Sequence, residues 1–176
     1  MRSAISGEAS AFGSLYDFYE PKIYRFILFK VSHREEAEDL THHVFLKAWQ
    51  SMPNFKERGG VPFSSWLYRI ARNQVIDHYR TKRDHADLEQ VDKEFTPSMA
   101  VAHINSIVVD QNLEMEKIWT AVQKLEPEHQ DVIVMRFIDE LSVRETAKAM
   151  EKSEGAVKVL QHRALQKLKN ILSEKV

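Results

Sequence analysis

Residues 142–172, SVRETAKAMEKSEGAVKVLQHRALQKLKNIL, constrain this chain most, because they read as two amphipathic helices joined by a short polar turn. Ser142 stands three residues before Glu145, the spacing of a capping box that satisfies two orphan amides at a helix start. Ala147 and Met150 give that helix its apolar face. Glu151-Lys152-Ser153 interrupts it, and Ser153 can cap the helix that follows. In the second helix Val157, Leu160, Ala164, Leu168 and Ile171 recur at three- and four-residue steps, which makes one buried stripe. Lys158, Val159, His162 and Arg163 fall on the opposite side, near the helix start. A helix-turn-helix enters a major groove by that part of its second helix.

The rest of the chain keeps the same helical grammar. Ile23, Phe26, Ile27 and Val31 follow Pro21, which is expected to start or kink a helix because it lacks an amide proton. Glu35–Gln50 carries Ala37, Leu40, Val44, Phe45 and Ala48 on one side. MPNFKERGGVPFSS breaks the pattern with two prolines and a Gly-Gly pair and reads as a loop. A third helix is expected from about Ser65 to Arg83. Residues 84–111 lose periodicity in an acidic background and read as a linker, with a short helix around 98–109. Leu113, Ile118, Val122 and Leu125 open a second helical segment, and Pro127 fits the first position of the next. No segment shows the alternation of a half-buried strand. The expected fold is all-α: two small helical domains, 1–83 and 112–176, joined by the linker 84–111.

Composition narrows the function classes. Cysteine is absent, which removes disulfides and thiolate metal sites. No apolar run approaches the roughly 20 residues that span a bilayer, and MRSAISGEAS lacks a signal-peptide apolar region, so a cytoplasmic protein without membrane insertion is expected. The net charge of −1 conceals a segregation: residues 1–83 sum to +4, 84–110 to −5 and 142–176 to +4. Two basic segments flanking an acidic strip suit two contacts on one polyanion, although charged helices also scatter this way by chance.

Between Phe55 and Arg83 aromatic and cationic residues interleave: Phe63, Trp66, Tyr68 and Tyr79 with Arg69, Arg72, Arg80, Lys82 and Arg83. That pairing suits single-stranded nucleic acid, where rings stack on bases and cations follow phosphates. Trp66, Leu67, Ile70 and Ala71 would equally serve the core of any helical bundle. His42 and His43 are adjacent and point about 100° apart on a helix, a poor chelating pair. No HExxH spacing, phosphate-binding glycine loop or nucleophile elbow occurs, so no metal, cofactor or catalytic site is expected.

Ala37-Glu38-Asp39-Leu40, Phe45, Ala48-Trp49, Trp66-Leu67 and Ile70-Ala71 with Asn73, Asp77 and Arg80 resemble region 2 of bacterial sigma factors. Leu125-Glu126-Pro127-Glu128, Val132-Ile133, Arg136-Phe137, Leu141-Ser142, Glu145-Thr146-Ala147 and Gly155-Ala156-Val157-Lys158 with Arg163-Ala164 resemble region 4. The ordered pair spans nearly the whole chain and is most similar to the short extracytoplasmic-function group. That resemblance implies a non-enzymatic subunit that binds core RNA polymerase and promoter DNA. Glu38, Asp39, Leu40, Phe45 and Trp49 would dock on the clamp coiled coil of the largest subunit, and region 4 would meet the flap. Asn54, Phe63, Ser64, Trp66, Arg69, Asn73 and Arg80 would recognise and melt the minus-ten element. Lys158, Val159, His162 and Arg163 would read the minus-thirty-five element. An anti-sigma factor is a further partner implied by the group.

Two departures are local. His42-His43 stands where many members have glutamine and an acid, and Val159-Leu160-Gln161 where many have serine and arginine. Without the resemblance, a stand-alone helix-turn-helix regulator with a sensing or dimerising amino-terminal domain fits the motifs. More remotely, a helical-bundle metalloenzyme could use His42, His43 and nearby carboxylates.

Overall fold

The computed structural model describes residues 9–55, 61–85 and 112–173, and within them the chain is helical with no strand. In chain order the helices are α1 (Ala9–Val31), α2 (Arg34–Ser51), α3 (Phe63–His85), α4 (Asn112–Gln123), α5 (Pro127–Ile133), α6 (Val143–Ala149) and α7 (Glu154–Ser173). A single 3-10 turn, Met52–Asn54, follows α2. The short helix expected around 98–109 lies outside the described residues.

Two boundaries differ from the sequence reading. Pro21 does not open α1: the helix is under way from Ala9 and runs through the proline, an internal position that leaves only the kinking alternative. The Asp17 carbonyl simply forgoes its amide partner there. The prolines, glycines and polar residues of 52–65 suggested a loop up to Ser65, but α3 starts at Phe63, and its first turn is held by the Trp66 amide donating to the Pro62 carbonyl.

From Ile23 to Val31 every residue of α1 except Arg25 is buried. A helix apolar on all sides belongs inside a structure, and α1 is covered by α2 and α3 on one side and by α4 and α5 on another. It ends abruptly. Ser32 adopts φ 56°, the left-handed region, and the His33 ring then accepts from the Glu36 amide to start α2.

In the second half, Pro127 takes the first position of α5, as its missing amide proton allows. The helix then widens over Val134–Ile138, where the Asp139 amide donates to the Val134 carbonyl at 2.9 Å, five residues back. Glu140 (φ 59°) and Glu151 (φ 54°) supply left-handed turns before α6 and α7. After Glu151, the Lys152 amide closes back on the Ala147 carbonyl at 2.9 Å, the six-to-one bond of a Schellman cap. The two helical halves are not held apart: α3 lies along α6, and α1 touches α4, α5 and the widened turn.

Candidate nucleic-acid interface

The helix-turn-helix is built as its caps require. The Ser142 hydroxyl accepts from the Glu145 amide at 3.1 Å, and Glu145 Oε2 accepts from the Ser142 amide at 2.9 Å. Ser153 accepts from the Ala156 amide at 3.1 Å and opens α7. Val157 and Ala164 are buried, while Leu160, Leu168 and Ile171 pack against the core. With that stripe anchored, Lys158, Val159, His162 and Arg163 are all exposed. Gln161 is turned aside, accepting from Arg136 Nε at 3.1 Å, while Arg136 Nη1 also donates to the Leu141 carbonyl.

The residues expected at a minus-ten surface separate into groups. Asn54, Asn73 and Arg80 are exposed, with Arg80 3.6 Å from Asp77. Trp66 is half-buried against Phe55 and Phe63, with ring centroids 4.8 and 5.5 Å away. Phe63 and Tyr68 are core residues, so neither offers a ring face for stacking in this arrangement. That corrects the interleaved-aromatic reading, because an i, i+3 aromatic spacing serves a core stripe equally well. Tyr79 keeps half its ring in solvent and donates to the Lys30 carbonyl at 2.6 Å. Ser64 is buried and donates to Glu145 Oε1 at 2.7 Å, and Arg69 lies 3.4 Å from Glu151. Both acids belong to the helix-turn-helix.

On α2, Glu38, Asp39 and Trp49 are exposed, but Leu40 and Phe45 are buried. The last two cannot touch a partner directly; Phe45 packs on Phe12 and Tyr16 and fixes which face of α2 looks outward. That outward face includes Leu46, 46% exposed and one turn from Trp49, which the sequence reading passed over because it resembles a core leucine. His42 and His43 are both in solvent. Among the described residues there is no cluster of three potential metal ligands and no helix long and apolar enough to cross a membrane.

Charges between the halves were not anticipated. Lys30 is buried, 2.8 Å from Asp131 and donating to the Pro127 carbonyl at 2.8 Å. Arg72 donates to the other oxygen of Asp131 at 2.9 Å. Arg25 Nε donates to Asp139 at 2.9 Å, and the Tyr68 phenol stands beside the same carboxylate without ideal hydrogen-bond alignment. Burial pushes Asp139 up despite Arg25 and Tyr68, and burial pulls Lys30 down despite Asp131. Glu145 goes the other way: burial would raise it, but hydrogen bonds from Ser64 and Ser142 hold it below the ordinary carboxylate range. The available signal was a lone lysine ending an apolar run, IYRFILFKV, and a lone aspartate in QDVIVM.

Known proteins resemble this chain along most of its length. A family model described as Sigma-70 region 2 matches residues 15–85, and one described as Sigma-70, region 4 matches residues 121–170. The chain is 39% identical over 171 residues to the ECF RNA polymerase sigma factor BldN of Streptomyces coelicolor, covering 97% of this chain and 64% of BldN. It thus spans less than two thirds of that relative's length. It is 31% identical over 177 residues to the ECF RNA polymerase sigma factor SigW of Bacillus subtilis, covering 96% of this chain and 92% of SigW. In fold it is similar to the sigma factor RpoE of Bartonella quintana, solved in complex with the anti-sigma factor NepR. The TM-score there is 0.76 at 21% identity, over 94% of this chain and 98% of that one.

Proposed function

The chain belongs to the extracytoplasmic-function sigma factors of bacterial RNA polymerase, in the sigma-70 family, and from that membership we propose that it directs initiation by a two-point grip on promoter DNA. One observation carries the minus-thirty-five half: the capped, core-anchored α7 presents Lys158, Val159, His162 and Arg163 together at its exposed start. Phosphate contacts there would set the register, and a few side chains would read base edges. The exposed Asn54, Asn73 and Arg80, with Trp66 and Arg69 beside them, would hold the opened minus-ten strand. Asp39, Leu46 and Trp49 would dock on the polymerase clamp, with Leu40 and Phe45 as their internal support.

In this reading the protein performs no catalysis, works in the cytoplasm, and adds specificity to an enzyme that makes RNA. A protein of the anti-sigma class is the partner that the RpoE–NepR complex suggests. Transcription with core polymerase on a promoter library, followed by sequencing of the starts, tests the whole. A stand-alone helix-turn-helix regulator would give no new initiation. Within that assay Arg163→Ala should weaken binding to the selected minus-thirty-five duplex by about 1–3 kcal/mol if it reads a base, while core association stays unchanged. Loss of core association would overturn the division of labour.

A further inference from the structure

Val159-Leu160-Gln161 is the stretch of α7 that departs from the usual sigma pattern, and the structure gives its members different fates. Leu160 packs against the core, and Gln161 is held aside by Arg136. Val159 alone of them reaches outward, 50% exposed. At about 100° per residue, Val159, His162 and Gln166 lie opposite the buried stripe, with Lys158 and Arg163 to either side. The middle of the face turned toward DNA therefore carries a branched apolar side chain between two cations. Packing among the described residues does not account for it. A β-branched residue loses rotamer freedom in a helix, and an exposed one recovers little of that by burial. Gly155, one turn earlier on the same face, is equally unexplained from within. A Cβ there would meet only the Ser153 Oγ, at 3.9 Å, so the bare backbone leaves room for a close approach from outside.

We propose that Val159 is a specificity-determining residue that selects a thymine in the upstream promoter element by packing on its 5-methyl group. Thymine is the only one of the four bases that presents a methyl group in the major groove. Valine has one strongly preferred rotamer in a helix and neither donor nor acceptor on its side chain. It therefore meets a methyl group already ordered. A base edge that offers only polar groups would be left unpaired against it, which costs affinity. Lys158 and Arg163 can hold phosphates or purine edges, but neither chemistry recognises a methyl group. The inference rests on the minus-thirty-five assignment of α7, and its test separates the two.

The full chain reconstituted with core polymerase, on the promoter recovered most often from the library, provides the test. Each thymine of the upstream element, on either strand, is replaced in turn by deoxyuridine, which pairs identically and lacks only the methyl group. At one position the replacement should weaken binding about fourfold, the worth of one buried methyl group. Val159→Ala should weaken binding to the thymine promoter by a similar factor and should bind the thymine and deoxyuridine promoters equally. Comparing the two proteins thus cancels any effect of deoxyuridine on the duplex itself. The variant replaces an exposed side chain by that of a better helix former, so the fold is kept. An upstream element without thymine, no methyl-sensitive position, or the same penalty in Val159→Ala would overturn the methyl contact while leaving the assignment of α7 standing. A library that yields no upstream preference at all would overturn both.

Discussion

Glu36 is a partly enclosed carboxylate and Asp139 a buried one, and their surroundings drive them in opposite directions. Asp139 is sealed between the halves, and burial raises it. Glu36 is open enough to keep its charge: burial would raise it, but Lys82 at 2.6 Å and His78 at 2.9 Å together hold it below the ordinary glutamate range. A carboxylate depressed in the folded state contributes stability that is present above its unfolded value, about 4.3. That contribution is lost as pH falls through the lower folded value. Melting temperature measured from neutral pH down to about pH 3 should therefore fall less steeply on its acid limb in Glu36→Gln than in the parent. An identical acid limb would mean that the α2–α3 clasp carries no pH-dependent stability. The exposed faces of Lys158 and Arg163 were legible from spacing, because the stripe opposite them is complete. The burial of Phe63 and Tyr68 was not, since aromatic residues among cations look alike on a stacking surface and at a domain's inner edge.

At the scale of elements, what could be read depended on whether local chemistry was sufficient. The Ser142–Glu145 box and the Pro127 start are decided within four residues, and both stand where the sequence indicates. The widened turn at Val134–Ile138 was invisible, because VMRFI is equally apolar whether its amides reach back four residues or five. The start of α1 at Ala9 was not legible, because its earlier stretch, ASAFGSLYDFYE, contains a glycine and leaves Tyr16 and Phe18 exposed, which blurs its period. Ser142→Ala removes the hydroxyl that accepts the Glu145 amide and should cost about 1 kcal/mol. Chemical denaturation would measure the loss. Hydrogen exchange should place it in the first turn of α6, and protection unchanged there would argue that Glu145, still tied to Ser64, holds the turn alone.

The whole molecule was the least legible level. Two helical domains followed from composition and periodicity, but Arg25 and Asp139 lie 114 residues apart, and no periodic pattern links residues at that distance. What joins them is complementarity of charge, which a sequence displays only as scattered acids and bases. The packed arrangement also explains why a basic residue such as Lys30 could sit inside an apolar run: its partner arrives from the other half.

The second half of α1 gives this arrangement a cost in the life of the protein. Nine consecutive positions, Ile23–Val31, are apolar or sealed except for Arg25, and part of their cover is α4 and α5. Separating the halves without a partner would bring a contiguous apolar stripe into water, the kind of surface that invites aggregation and degradation. Limited proteolysis should accordingly cleave the Asp131→Asn, Asp139→Asn variant faster than the parent, and equal rates would mean that these charges do not keep the stripe covered. In the packed protein that stripe stays out of water, so the contact between the halves also guards the chain against self-association.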